Sequence, residues 1–201
     1  MKRILIVGAT GTVGSQVRKT LLENTDYQLT LFSRTAAKLN INPLREKAIS
    51  GDVNSLSDLK QAIKQQDAVF VSLSGNLPLY IRNIITVMKQ EAIKRLIFIS
   101  SMGIYDEIPA SVGANGNLKF NPMLEPYRQA ADLVEQSDLT YTIIRPGWFT
   151  QGPINYVLTE KGEPFGGHDI SVASIADLVR RLLEDENFGI NESFGINTPN
   201  S

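Results

Sequence analysis

The chain has 201 residues, 42% of them hydrophobic, with a formal net charge of −1 and no cysteine. That length suits one domain with a proper core. The even charge leaves no basic face for nucleic acid, and the lack of cysteine excludes disulfides, thiol catalysis and cysteine-held metals.

The first strand is Arg3-Ile4-Leu5-Ile6-Val7, which breaks into Gly8-Ala9-Thr10-Gly11-Thr12-Val13-Gly14. A buried strand that ends in G-x-x-G-x-x-G and enters a helix is a phosphate cradle. Gly8 lets the chain turn off the strand, Gly11 keeps side chains away from a pyrophosphate, and Gly14 lets the helix pack close to the sheet. The helix that follows offers free N–H groups and the positive end of its dipole. Val13, Val17, Leu21 and Leu22 recur at helical spacing and support it. No Gly-Lys-Ser/Thr follows, so the Walker-type phosphate loop is excluded.

Strands and helices then alternate. Tyr27 to Ser33 reads as a strand, Lys47 to Gly51 as a short one, and Leu56 to Gln65 as a helix capped by Ser55 or Asn54. Ala68 to Leu73 is a fully buried strand, and a helix runs from about Leu79 to Glu91 with Ile81, Ile84, Ile85 and Met88 on one face. Arg95 to Ile99 is a strand, Leu124 to Gln136 a helix, and Thr140 to Ile144 a strand stopped by Arg145-Pro146-Gly147. Residues 103–123 read as a long loop of the kind that forms lids. A short extended piece at Tyr156 to Thr159, a helix at Ser174 to Glu184 and a strand at Ser193 to Asn197 complete the pattern. Short apolar strands between helices mean βαβ units, hence a doubly wound parallel sheet covered on both faces. No apolar run approaches the about 20 residues of a membrane span, and with a strand expected from Arg3 onward no signal peptide is expected. A cytoplasmic setting is the expectation.

The end of the second strand discriminates between cofactors. An acid there favours NAD, whereas an arginine accommodates the 2′-phosphate of NADP. The strand ends Leu31-Phe32-Ser33-Arg34, with Lys38 expected one turn further on. NADP is therefore favoured. Arg34 is otherwise a solvated loop residue, or it stacks on adenine in an NAD site. Asp52, after the third strand, either accepts from the adenine amino group, with Val53 adding a backbone contact, or merely caps a turn. Leu73-Ser74-Gly75, after the fourth strand, offers backbone contact to the cofactor.

Taken together, these residues resemble the atypical short-chain dehydrogenase/reductases, and within them the small NmrA-like, NAD(P)H-binding group that includes biliverdin-IXβ-reductase-type and NADH–flavin reductases. The resemblance rests on Gly8 to Gly14, Ser33-Arg34, Gly51-Asp52-Val53, Ile99-Ser100-Ser101-Met102-Gly103, Tyr127 and Tyr141 to Gly147. It covers nearly the whole chain and is poorly specific for any substrate. It implies a single Rossmann-type domain over residues 1–201, with a cofactor-binding core at 1–147 and a segment at 148–201 that completes the substrate pocket. It also implies that Ser100 or Ser101 sits near the nicotinamide, that Tyr127 is the tyrosine of the Tyr-x-x-x-Lys pair, and that Pro146, Gly147, Trp148 and Phe149 pass the nicotinamide carboxamide. A monomer or homodimer is what the resemblance implies.

The chain departs from that pattern at one telling position. Four residues after Tyr127 stands Ala131, not lysine. The family lysine holds the nicotinamide ribose and favours the ionised tyrosine by its charge. Arg128 is about 100° round the helix and a poor substitute, and Lys119 is expected in the loop. Alcohol oxidation needs a base. Reduction of an acceptor that spreads charge, such as a quinone, flavin or linear tetrapyrrole, needs less. The expected activity is therefore NADPH-dependent reduction of a small conjugated acceptor by hydride transfer, with NADH as a possible second donor. The alternative is a non-catalytic NADP-binding redox sensor, and an epimerase is a weaker third.

Four further residues stay open. His168 is either a pocket acid or a surface-turn residue. Trp148 and Phe149 either stack on an aromatic acceptor or pack under the last loop. Tyr105 is a candidate second hydroxyl near the site. No metal ligands are expected, since adjacent acids such as Asp106-Glu107 do not make a metal site.

Overall fold

Alternate side chains of the first strand, β1 (Arg3–Val7), enter different cores. Ile4 and Ile6 join an apolar cluster on one face of the sheet, Leu5 and Val7 one on the other. The same alternation sorts Ala68 and Phe70 from Val69 and Val71 in β4 (Ala68–Val71), and Ile97 and Ile99 from Leu96 and Phe98 in β5 (Arg95–Ile99). Strands this apolar on both faces need helices on both sides. The computed structural model, which describes residues 1–201, supplies them.

Helix α1 (Thr12–Asn24) and helix α5 (Val172–Glu184) cover the first face through Val13, Val17, Leu21, Ile175, Leu178 and Leu182. Helices α2 (Leu56–Ile63), α3 (Leu77–Gln90) and α4 (Glu125–Glu135) cover the second through Leu59, Ile81, Ile84, Met88, Ala131 and Val134. The remaining strands are β2 (Gln28–Ser33), β3 (Glu46–Ser50), β6 (Thr140–Pro146), β7 (Trp148–Thr150), β8 (Val157–Thr159), β9 (Asp169–Ser171) and β10 (Glu192–Asn197).

The main sheet has eight strands in the order β3-β2-β1-β4-β5-β6-β10-β8. All its pairs are parallel except β10 with β8. The chain leaves β1 for one edge and returns across it to β4, so the order reverses between β1 and β4. In such sheets the crevice beyond the carboxyl ends of the strands, at that reversal, is where ligands bind. This is the expected doubly wound Rossmann-type sheet. The segment after residue 147 does more than cap it, because β10 and β8 extend the sheet itself.

Two expectations of order change. Residues 148–171 are not a plain loop with one extended piece, since β7 and β9 pair in parallel as a second small sheet, Trp148 opposite Asp169 and Phe149 opposite Ile170. Residues 103–123 do not form a lid. Ile104 and Ile108 are buried there, with Met102 and Leu124 just outside the segment. Asn117, also buried, exchanges hydrogen bonds with Ile108, donating from Nδ2 to its carbonyl at 2.8 Å and accepting its N–H at 2.9 Å. No residue of 103–123 lines the crevice. No helix is long and apolar enough to cross a membrane.

Candidate cofactor and substrate cleft

A cleft of about 730 Å³ runs along the carboxyl ends of β1 to β6. Its floor begins at the glycine loop. Gly8 has φ +91°, and a Cβ there would strike the carbonyl of Ser72, so the turn off β1 requires glycine. Gly14 lies outside the cleft, and a Cβ on it would strike the carbonyl of Gly8, so its absence lets α1 press against the loop. Gly11 is the N-cap of α1, and Thr10, Gly11, Thr12 and Val13 all line the cleft.

The N-terminus of α1 is left electrically open. The first N–H groups of a helix have no partner inside it. Helices α2 and α5 satisfy theirs with the side chains of Ser55 and Ser171, and α2 adds Asp58 in its first turn. Helix α1 has neither a capping side chain nor an acid in its first turn. Free donors and an uncompensated dipole facing a cleft suit an anionic phosphate.

At the end of β2, Ser33, Arg34 and Thr35 line the cleft. The Ser33 hydroxyl is buried with no hydrogen-bond partner, and Arg34 is exposed and makes no ion pair or side-chain hydrogen bond. Lys38 is not with them. It is exposed in a 3-10 turn, Ala36–Lys38, whose buried Ala36 anchors the turn and leaves Lys38 outside the cleft.

Asp52, Val53 and Asn54 form the next wall. Asp52 Oδ1 accepts from the backbone and side-chain nitrogens of Asn54, both at 2.9 Å, so this carboxylate organises its own turn while lining the cleft. Asn83 holds the Val53 carbonyl at 3.1 Å. Leu73 and Ser74 face the cleft after β4, whereas Gly75 turns the chain behind them without lining it. Tyr80, on the first turns of α3, closes this end. Sequence reasoning missed Tyr80, Thr35 and Asn54, which carry no local motif and reach the cleft through topology alone, and gave no role to Met102, although it follows the serine pair in the Ile99 to Gly103 motif.

The other end gathers Ser100, Ser101, Met102, Tyr127, Pro146, Gly147, Trp148 and Phe149. Ser100 is buried, and its hydroxyl donates to the Tyr127 carbonyl at 3.4 Å, while the Ser101 hydroxyl donates to the Met102 carbonyl at 3.0 Å. The Tyr127 hydroxyl makes no hydrogen bond within the protein. Trp148 and Phe149 are 67% and 49% exposed, which rules out the core-packing alternative.

No cation stands in for the family lysine. Ala131 is fully buried in the apolar cluster beneath α4. Arg128 pairs with Asp132 at 2.8 Å and reaches the Ile104 carbonyl at 3.3 Å. Lys119 lies over the ring of Phe120, 5.1 Å from its centroid, outside the cleft. Tyr105 is also elsewhere. Its hydroxyl donates to Glu135 at 2.6 Å, and its ring packs against Arg128, Arg145 and Lys161. Burial, with the bond to Glu135, pushes this phenol well above the ordinary tyrosine range. His168 does not line the cleft, but stacks on Trp148. No group of three or more His, Asp or Glu side chains is placed to hold a metal ion.

A doubly wound sheet with a glycine cradle at its switch point defines a dinucleotide-binding α/β protein. The chain belongs to the NAD(P)H-binding family whose model matches residues 8–186, and it is an atypical short-chain dehydrogenase/reductase of NmrA-like type. It is 28% identical over 184 residues to the NAD(P)H azoreductase of Xenophilus azovorans, an alignment that takes in 87% of this chain and 60% of the azoreductase. The chain thus spans about 60% of that relative's length. A Rossmann-fold NAD(P)-binding family protein from Shigella flexneri is 36% identical with a TM-score of 0.85, covering 100% of this chain and 95% of that one. A short-chain dehydrogenase/reductase from Veillonella parvula DSM 2008, solved in complex with NADP, is 27% identical with a TM-score of 0.89, covering 98% and 95%.

Proposed function

We propose that the protein is an NADPH-dependent reductase of a small conjugated acceptor, such as a quinone, a flavin or an azo compound. One observation carries this choice of chemistry: the cleft ends in hydroxyls and exposed aromatic rings, with no cation beside Tyr127. That set is poor at removing a proton from an alcohol. It suits an acceptor whose own π-system takes up the charge.

When bound, a reduced dinucleotide would supply the hydride, and a proton from water would neutralise the reduced acceptor. The protein's task is to place the reactants. The glycine loop and the open end of α1 would hold the pyrophosphate. Arg34 and the unpartnered Ser33 hydroxyl would receive a 2′-phosphate, the basis for preferring NADPH over NADH. Asp52 and Val53 would border the adenine, and Leu73 and Ser74 would give the cofactor backbone contact. Pro146 and Gly147 would border the carboxamide. Tyr127, whose hydroxyl has no partner within the protein, donates a hydrogen bond to the acceptor atom where negative charge collects, and Ser100 or Ser101 joins it only by giving up its bond to a backbone carbonyl.

The test is turnover. NADPH absorbance is followed with naphthoquinones, flavins and azo dyes as acceptors. Loss of NADPH with matching reduction of at least one acceptor supports the assignment, and no turnover across the panel overturns it.

A second reading has its own support. Both serine hydroxyls are spent on backbone carbonyls, and Ala131 leaves Tyr127 without help. A protein that binds NADP(H) and changes a partner's affinity, without turnover, would have these features. Cofactor-dependent partner binding in the absence of any turnover decides for it.

A further inference from the structure

Trp148 is the chain's single tryptophan, and it stands exposed at the rim of the cleft. It is nevertheless built in. The His168 ring lies behind it, with centroids 5.6 Å apart and planes 11° from parallel. His168 Nδ1 is in turn held by Asp169 Oδ1 at 2.6 Å. The backbone fixes the pair from below, since Trp148 N–H donates to the His168 carbonyl at 2.8 Å and Trp148 faces Asp169 across the β7–β9 ladder. Trp148 lines the cleft and His168 does not, so the imidazole lies offset against the indole without itself lining the cleft.

A large aromatic ring left two-thirds exposed carries an unfavourable hydration term. A ring that is also backed by a second, hydrogen-bonded ring has lost most of its freedom to fold away. Its cleft side is then a rigid platform for another planar π-system, and stacking there costs little ordering entropy. We propose that Trp148 is the stacking platform for the planar acceptor, and that His168 is a positioning residue that holds the indole in place for it. This divides the Pro146 to Phe149 segment, with Pro146 and Gly147 serving the cofactor and Trp148 the second substrate. It rests on the reductase assignment for the identity of its ligand, and it narrows that ligand to flat, fused-ring acceptors.

Because there is one tryptophan, its fluorescence reports the platform directly. Protein saturated with NADP+ is titrated with 2-methyl-1,4-naphthoquinone, and intensity and lifetime are both recorded. The expected result is saturable quenching with an unchanged lifetime, the mark of a stacked ground-state complex. His168→Ala weakens that binding several-fold and leaves NADP+ binding unchanged. His168→Phe, which keeps a ring behind the indole, restores it. With turnover as the readout, Trp148→Ala raises KM for the naphthoquinone about tenfold, the scale of a lost aromatic stack, and leaves KM for NADPH unchanged. Trp148→Phe falls between.

Three results overturn the proposal. One is quenching that is purely collisional. Another is quenching saturated by NADP+ alone, with nothing added by the quinone, which would assign the indole to the nicotinamide. The third is a Trp148→Ala variant that raises KM for NADPH instead. The fluorescence titration needs no turnover, so an inactive protein that binds the quinone on Trp148 sinks the reductase assignment alone, and an active one without static quenching sinks the platform alone.

Discussion

Arg145 and Glu107 form an ion pair with side-chain exposures of 0% and 1%. Arg145 also donates to the Ser193 hydroxyl and carbonyl, both at 3.1 Å, and to the Glu160 carbonyl at 3.0 Å. Glu107 accepts the backbone N–H groups of Gly103 at 3.2 Å and Tyr105 at 2.8 Å. One buried pair thus ties the segment after β5 to β6, to β10 and to the turn before residue 163. It holds the segment expected to be a lid away from the cleft, and it fixes the end of β6 from which Pro146 to Phe149 enter the site.

Removing one partner should therefore cost more than removing both. Glu107→Gln leaves a guanidinium buried without its counter-charge, and about 3–5 kcal/mol of stability should go with it. A paired Arg145→Met, Glu107→Leu replacement should recover much of that loss. Urea unfolding of the three proteins checks both figures. A single-variant cost below about 1 kcal/mol would show that the pair is not a keystone.

Arg34 gives the second prediction. It is exposed and unpaired beside the buried, unpartnered Ser33 hydroxyl. Arg34→Ala should weaken NADPH binding at least about tenfold, the scale of one charge-assisted contact, while NADH affinity moves by less than about twofold. Titration calorimetry with each cofactor measures both. A wild-type protein that binds NADH more tightly than NADPH would overturn the 2′-phosphate role of Arg34.

How far these features were legible in the sequence varies with how local they are. The glycine loop is local, since Gly8 and Gly14 touch within one turn, and it could be read residue by residue. The strand order followed from alternation, because βαβ units leave few topologies. The β7–β9 pair was not legible, because strands of three residues joined across about twenty positions leave no periodic trace. Lys38 was placed by helical arithmetic, but the chain takes a tighter 3-10 turn around Ala36, which changes the direction of the third residue. The lid reading failed for a related reason. Ile104, Ile108 and Leu124 follow no period, so their shared burial shows only in three dimensions. Tyr80 reaches the cleft only because α3 starts beside Ser74.

Glu46 should govern part of the acid stability. It lies on β3, and Arg18 of α1 grips it, with Nε on Oε1 and Nη2 on Oε2 at 2.8 Å, while Asn42 N–H donates at 2.8 Å. Burial pushes its carboxyl up, but the Arg18 bonds, the Asn42 N–H and the charges of Arg18 and Arg45 outweigh that and leave it below the ordinary range. A carboxyl lowered on folding stabilises the protein above its unfolded pKa of about 4.3, and that stabilisation fades as pH falls through the lower folded value. Glu46→Gln should therefore be less stable than the parent at neutral pH, and the two should converge below about pH 4. Melting temperatures from pH 7 to 3 check it, and parallel curves across that range would refute the assignment.

The last prediction concerns Tyr127 and Ala131 together. Tyr127 lines the cleft with no hydrogen bond to its hydroxyl, and the position one turn on is a fully buried alanine. If Tyr127 only polarises an acceptor, Tyr127→Phe should lower kcat by less than about tenfold, short of the 10²–10⁴ typical of a general acid or base. Restoring the family residue should not restore alcohol chemistry. Ala131→Lys forces a long chain into a filled apolar cluster, and overpacking alone should cost about 1–3 kcal/mol. Steady-state kinetics with quinones and with secondary alcohols, beside thermal melts, give the readouts. A thousandfold loss in Tyr127→Phe would make Tyr127 a true acid. An Ala131→Lys protein that keeps its melting temperature and oxidises alcohols would mean that the cleft, not the packing, claims that position.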